Sequence, residues 1–296
     1  MKKNALIALG MLMLSVFSLT FTSCGNDDDD ELVLTTPKYA ENAVLYKING
    51  ASDISSVEFT EAGMYIITKK TSDSAAKGFF QKGKSRSSFT RGDNDDYEYI
   101  YGKYTKDGDV YTLEGFGTIT VVKKESVNVS LQIQPTGEKA YTLSAQPAEK
   151  FEKSDISTKL CRTWKYDRGN MVCTKGDSLI LEKTSTSNSV LYETLDSLLG
   201  ERPDEYTNPE EVIFTLSGSY IVKYDDGTLA VAQWKWKNEK EGVSYFTWEP
   251  EWKERNVFAI SFNEKNELVV DDIWEDIKWH GTEITVHFTD YLTEKK

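Results

Sequence analysis

The sequence predicts an all-β protein with two antiparallel β domains, the second of which is an up-and-down barrel with one short helix. Three observations carry this prediction. Many short segments alternate apolar and polar residues, which is the period of a half-buried strand. Tight-turn dipeptides separate these segments. A helical pattern is clear in one segment only, which argues against a fold of alternating strands and helices.

The alternation is clearest in two segments. Val129, Leu131 and Ile133 alternate with polar residues, as do Val286 and Phe288. Further short runs with strand composition are Tyr97 to Thr105, Val110 to Leu113, Thr118 to Val122, Ser178 to Leu181, Ala230 to Lys237, Val243 to Trp248 and Val257 to Phe262. This number of short strands is typical of a sandwich or a barrel.

Turns and one helix punctuate these strands. Asp107-Gly108 and Asp226-Gly227 supply the residues with positive φ that tight hairpin turns need. Between Val190 and Leu199 the apolar residues line one helical face, and Gly200 ends the pattern.

A weak internal repeat links the two halves of the chain. The segment Val57 to Ile66 aligns with Val212 to Ile221, with six of ten residues identical. Each copy predicts a hairpin: a strand ends in Phe-Thr, turns at a glycine and returns through Tyr-Ile. Common descent of the two domains is one interpretation, and a common hairpin pattern that arose twice is the other.

The N-terminus has the order of a secretory signal. Lys2 and Lys3 precede the mostly apolar run from Ala5 to Thr20, and Cys24 follows the small residue Ser23. The apolar run is shorter than the roughly 20 residues that span a bilayer, which favours cleavage over a transmembrane anchor. We therefore expect a lipoprotein signal peptide over residues 1–23, with Cys24 as the lipidated residue.

We expect residues 24–37 to form an acidic, solvated tether, because the acidic run Asp27 to Glu31 begins three residues after the cysteine. This arrangement resembles the acidic signal with which Bacteroidota-type lipoproteins are displayed on the cell exterior. The resemblance implies an outer-membrane protein, anchored by lipid and facing outward.

Charge and composition divide the rest of the chain. Without Lys2 and Lys3, the chain has 33 basic and 48 acidic residues, a net charge of −15. This charge argues against nucleic acid as a partner. The first half is neutral, whereas the second half is acidic and holds all seven tryptophans. This asymmetry predicts an N-terminal β domain over residues 38–150 and a barrel domain over residues 151–296.

The second half resembles a known family. Its opening, Leu160-Cys161-Arg162-Thr163-Trp164-Lys165, followed by the second hairpin and a Trp-Lys-Trp strand, resembles the lipocalin-like domains of Bacteroidota lipoproteins. Lipocalins usually carry a glycine two residues before that tryptophan, where this chain has Arg162. The resemblance implies an antiparallel barrel, a cavity for a small apolar ligand and no catalysis.

Tryptophans are the first candidates for a binding site. Trp234 and Trp236 are two residues apart and so lie on one face of a strand, while Trp248 and Trp252 flank Pro250 in a Glu-rich segment. Exposed rings could stack on sugars, and packing in the barrel core is the alternative. We favour the core for Trp164, Trp234 and Trp236, while Trp248 and Trp252 are the leading candidates for a binding surface.

Catalytic and covalent chemistry has little support in the sequence. The carboxylates Asp271, Asp272, Glu275 and Asp276 could serve a glycoside hydrolase, although a solvated acidic face is more common. His280 and His287 lack the neighbours of a tetrahedral metal site, and we expect no metal and no cofactor. Cys161 and Cys173 form a disulfide across a turn at Asp167 to Asn170 in one interpretation and stay free thiols in the other.

The sequence therefore predicts a non-catalytic, surface-exposed outer-membrane lipoprotein that acts as a binding or envelope-interaction module. A small apolar ligand carried in the barrel and a glycan bound on the surface are the two ligand hypotheses. Glycoside hydrolysis by paired carboxylates ranks third.

Overall fold

A computed structural model describes residues 34, 37–70, 97–124, 127–202, 206–247 and 256–295, apart from the side chains of residues 123 and 124. These residues belong to one compact unit, Leu34–Lys296. The predicted signal peptide, Cys24, Trp248 and Trp252 lie outside the described residues.

The first half forms a closed, antiparallel barrel of eight strands in sequential order. The barrel closes where β1 pairs with β8, for example Lys47 with Gln146. The strands are β1 Val44–Ile48, β2 Ile54–Phe59, β3 Met64–Lys70, β4 Tyr97–Asp107, β5 Val110–Leu113, β6 Gly117–Lys124, β7 Val129–Pro135 and β8 Tyr141–Pro147.

The second half forms an antiparallel sheet of nine strands that closes into a barrel through pairing of β9 with β17. β10 extends this sheet as a hairpin partner of β9. The strands are β9 Thr163–Lys175, β10 Ser178–Ser185, β11 Pro209–Phe214, β12 Ser219–Tyr224, β13 Leu229–Asn238, β14 Val243–Thr247, β15 Asn256–Phe262, β16 Leu268–Trp279 and β17 Thr282–Glu294. The predicted fold class, all-β with two antiparallel domains and a second barrel, is confirmed.

Two α-helices lie among the described residues of the second half. The predicted helix is α2, Asn188–Leu199, which packs against β9, β10 and β16 and ends at Gly200 with φ of 75°. The other helix, α1 Asp155–Leu160, was not predicted. Ser154 caps it by accepting a hydrogen bond from the Ser157 N–H.

The turn that we expected at Asp167 to Asn170 is wrong, because β9 runs unbroken through these residues. Gly169 serves close packing there. A Cβ atom at this position would lie 2.5 Å from the Tyr166 hydroxyl, 2.7 Å from an Asp290 oxygen and 2.8 Å from Leu191. Glycine lets β9 approach α2 and β17 at this level.

Both copies of the internal repeat form hairpins, as predicted: β2 with β3 and β11 with β12. In the first hairpin, Thr60 N–H donates to the Met64 carbonyl and Gly63 N–H donates to the Thr60 carbonyl. Thr215 and Gly218 make the same two bonds in the second hairpin, with Ser219 in place of Met64.

Aromatic residues fix the tip of the first hairpin. Tyr104 on β4 donates through its N–H to the Gly63 carbonyl and through its hydroxyl to the Thr60 carbonyl, at 3.0 and 3.1 Å. Tyr39, from the segment before β1, lies so close that a Cβ at Gly63 would meet its ring at 2.6 Å.

The second hairpin repeats this arrangement. Trp234 on β13 donates through its N–H to the Gly218 carbonyl at 2.8 Å and through Nε1 to the Thr215 carbonyl at 3.1 Å. Phe151, from the segment before α1 and β9, lies against Gly218 as Tyr39 lies against Gly63. These equivalent contacts favour common descent of the two barrels over chance recurrence of a hairpin pattern.

Candidate functional sites

The interior of the second barrel is filled with aromatic side chains. Phe258 is 1% exposed, and its ring centroid lies 4.8 Å from that of Phe246, 6.1 Å from Tyr220 and 6.3 Å from Phe214. Such pairs add about 0.5–1.5 kcal/mol each beyond the burial of their area. These rings pack together with aliphatic side chains in one buried cluster inside the barrel.

Three of the candidate tryptophans belong to this core. Trp164 is fully buried and donates from Nε1 to the Leu160 carbonyl at the end of α1. Trp234 is also buried, and Trp236 packs beside it with its Nε1 on the Ser157 hydroxyl. The interpretation of Trp164 as a core residue is confirmed, and Trp234, which is 1% exposed, offers no ring face to a sugar, while Trp236 is partly buried.

A second aromatic cluster lies where α2 covers the barrel. Tyr192 on α2 is the centre of this cluster and contacts Trp274, Tyr206 and Phe288. Trp279, at the end of β16, donates from Nε1 to the Leu198 carbonyl on α2. Trp274 and Trp279 are only partly buried, so this cluster has aromatic surface at the solvent boundary.

The hairpin beside this cluster has unusual backbone geometry. His280 and Gly281 both have positive φ, 46° and 76°, and join β16 to β17 in a two-residue turn. A β-bulge between Trp274 and Ile277 leaves Asp276 with φ of 59°. Bulges of this kind redirect side chains.

A layer of polar groups lies inside the second barrel. The Asp290 carboxyl accepts from the Tyr166 hydroxyl at 3.3 Å and from Asn188 at 3.5 Å. Burial raises the pKa of Asp290 well above its usual range, and Asp272 nearby raises it further. Since Asn188 is the first residue of α2, this layer attaches the helix to the barrel interior.

The four carboxylates that could serve a glycoside hydrolase do not converge. Asp271 lies on the outer face of β16, where its Oδ1 is 3.1 Å from His287 Nε2. Asp272 is buried inside the barrel and accepts from Trp274 Nε1. Glu275 and Asp276 are exposed in the bulge between Trp274 and Ile277.

The cysteines are free thiols, which corrects the disulfide interpretation. Cys161 follows α1, whereas Cys173 lies near the far end of β9. Ten residues of strand span about 33 Å, far beyond the reach of a disulfide. Burial raises the pKa of both thiols, that of Cys173 to about 11.

No group of three or more His, Cys, Asp or Glu side chains in the described part of the chain is placed to hold a metal ion. His280 is exposed in its turn, and His287 bonds to a single carboxylate.

The contact between the barrels is a site that the sequence did not suggest. The tip of the β2–β3 hairpin lies against the tip of the β11–β12 hairpin. Thr215 Oγ1 donates to Glu58 Oε1 at 2.9 Å, and Leu216 N–H donates to Glu61 Oε1 at 3.1 Å. The two carboxyls are 3% and 1% exposed. The second barrel therefore supplies hydrogen-bond donors to two buried acids of the first.

An apolar surface continues this contact. Ile66 on the first barrel packs with Ile213, Ile221 and Leu229 on the second. Tyr101 on β4 adds a hydrogen bond from its hydroxyl to the Gly227 carbonyl at 2.5 Å. Acidic residues in short strands normally face solvent, so the sequence carried no sign that Glu58 and Glu61 would be buried.

Comparison of the chain with protein-family models, with curated proteins and with solved structures finds no match. None of the helices in the described ranges is both long and apolar enough to cross a membrane.

Proposed function

We propose that this protein is a non-catalytic lipoprotein of the outer membrane, anchored through Cys24 and facing the cell exterior, that binds a partner on its outer surface. The observation that carries the proposal is the packed aromatic interior of the second barrel. A barrel whose inward positions are filled acts as a rigid scaffold and presents its outer faces and loops.

The packed interior counts against the apolar-ligand hypothesis. A carrier needs a cavity of a few hundred Å³ to enclose a ligand. In this barrel the rings of Phe214, Tyr220, Phe246 and Phe258 contact one another instead. An apolar ligand would have to displace these side chains from their contacts.

Glycan binding is the second candidate. The partly buried rings of Trp274 and Trp279 support it, because aromatic faces at a solvent boundary suit stacking on sugars. Hydrolysis of a glycan has less support, since Asp271 and Asp272 lie on opposite faces of β16 and cannot flank one glycosidic bond.

The binding test is a titration of the chain from Gly25 onward with lipophilic probes and polysaccharides, followed by tryptophan fluorescence. We expect no saturable response of the unaltered protein to apolar probes, and a gained response in Phe258→Ala, which opens a cavity. A saturable apolar response of the unaltered protein would instead establish a carrier. A saturable glycan response that Trp279→Ala abolishes and Trp236→Phe retains would establish the glycan alternative.

The location is tested separately on whole cells. We expect the protein in the outer-membrane fraction, labelled by radioactive palmitate and accessible to external protease, and we expect Cys24→Ser to lose the label and the membrane association. An unlabelled, soluble unaltered protein would refute the anchor. A labelled protein that resists protease until the cells are lysed would refute outward display.

A further inference from the structure

We propose that Glu58 and Glu61 form a proton-dependent clamp between the two barrels, which holds the hairpin tips together while both carboxyls are protonated and loosens when they ionise. The inference concerns the contact between the barrels and does not depend on the ligand or the membrane anchor. Three structural observations lead to it.

The first observation is the burial of two acids at a contact that is otherwise apolar. Glu58 and Glu61 lie at the tip of the β2–β3 hairpin, beside the cluster of Ile66, Ile213 and Ile221. A charged carboxylate in such a place is unfavourable unless it is paired, because burial removes its hydration. The protonated form avoids this cost.

The second observation is an unsatisfied atom. Glu61 Oε1 accepts from the Leu216 N–H, but Glu61 Oε2 is buried and has no hydrogen-bond partner among the described residues. An ionised carboxyl needs hydrogen-bond donors for both oxygens, so ionisation here favours entry of water. Separation of the two tips would expose this oxygen to water.

The third observation comes from the internal repeat. The residue equivalent to Glu58 in the second hairpin is Ile213, and the residue equivalent to Glu61 is Leu216. The same hairpin geometry therefore forms with apolar side chains at both positions. The carboxyls are not needed to build the turn, which leaves the contact with the other barrel as the place where they act.

The surrounding charges do not cancel this effect. Burial raises the pKa of Glu61 to about 7. It outweighs the backbone hydrogen bonds of Glu61 and Leu216 and the field of Lys150 and Lys153 in the segment between the barrels, all of which lower the pKa. Burial also raises the pKa of Glu58 to about 7, against the hydrogen bonds of Ser219 and Thr215, and Glu61 adds to the increase.

Two neutral titratable groups complete the surroundings. These are the Tyr104 hydroxyl on β4 and the Cys161 thiol after α1. Burial raises the pKa of each group, and the nearby Glu61 carboxyl raises it further. Both groups remain uncharged near neutral pH and supply no positive charge.

The sign of the effect follows from linkage. Both carboxyls have pKa values raised from 4.5 to about 7 in the folded protein. Their contribution to the closed contact is complete below about pH 4.5 and is lost as the pH rises to about 7. The clamp therefore weakens across the range from mildly acidic to neutral pH.

The test combines two measurements on the full mature chain. Carboxyl-carbon NMR, assigned with Glu58→Gln and Glu61→Gln, gives the titration midpoints directly. Amide hydrogen exchange at Leu216, corrected for intrinsic rates, gives the opening of the contact, and the Ile260 amide in the barrel wall serves as an internal reference.

We expect midpoints near 7 and an opening equilibrium at Leu216 that rises about tenfold or more between pH 5 and pH 8, with little change at Ile260. The double variant with Gln at both positions should lose this pH dependence, whereas Glu138→Gln, an exposed acid of the same barrel, should keep it. Midpoints near 4.5, constant protection of Leu216, or unchanged pH dependence in the double variant would each overturn the clamp. If the double variant does not fold, the titration midpoints of the unaltered protein test the clamp alone: values near 7 support it and values near 4.5 refute it.

Discussion

Replacement of Phe258 by alanine measures how tightly the second barrel is packed. The side chain is 1% exposed and contacts three other rings. Burial of about 150 Å² of aromatic surface at about 25 cal/mol per Å² corresponds to about 4 kcal/mol, which falls within the usual ~3–5 kcal/mol for Phe to Ala in a core. We therefore expect Phe258→Ala to lower the free energy of unfolding by about 4 kcal/mol.

The assay is urea unfolding followed by tryptophan fluorescence, which reports on the second barrel because every tryptophan lies in that half of the chain. Val257→Ala is the matched control, since Val257 is the preceding residue on the same strand and is 41% exposed; it should cost less than about 1 kcal/mol. A loss below about 1 kcal/mol for Phe258→Ala would mean that the ring borders an open cavity, and it would refute the packed-scaffold reasoning.

Three further predictions concern stability. Gly242→Ala should cost several times more than Gly227→Ala in urea unfolding: both glycines have positive φ, but a Cβ at Gly242 would lie 2.1 Å from a backbone oxygen of β15, while Gly227 has open space. Arg162→Ala should lower stability by about 3 kcal/mol, because it removes a buried ion pair to Glu294 at 2.6 Å; a loss no larger than that of an exposed pair would contradict this. Reductant should leave the melting temperature unchanged, since both cysteines are free thiols; a fall on reduction would reveal a disulfide.

The strands and hairpins were predictable because they depend on local signals. The alternation around Leu131 and Val286 places one face of each strand in a core, and the glycines after Asp107 and Asp226 supply the positive φ of the turns. The α2 helix was predictable for the same reason, since its apolar residues repeat at helical spacing over three turns.

Two features of the fold were missed: the strand that replaces the turn expected at Asp167 to Asn170, and the α1 helix. Asp-Arg-Gly-Asn has the composition of a turn, but Gly169 is required by its close approach to Asp290 on β17 and Leu191 on α2, which are remote in sequence. The α1 helix is six residues long, too short for a periodic pattern.

The candidate sites were less predictable than the fold. The tryptophans at 234 and 236 were correctly placed on one face of a strand, but only the barrel shows that this face is inward. Glu58 and Glu61 have the composition of a solvated surface. Their burial depends on the second barrel, whose strands follow some 150 residues later in the chain.

The unequal hairpin tips also determine which surfaces can pair. The tip with Leu216 donates its backbone N–H to Glu61 and brings no acid of its own, whereas two tips with Glu61 facing each other would bury two carboxyls side by side. The first barrel is thus a poor partner for another copy of itself. The connecting segment keeps the complementary tip of the same chain at high effective concentration, so the difference between the two hairpins favours one self-contained chain over exchange of barrels between neighbouring molecules.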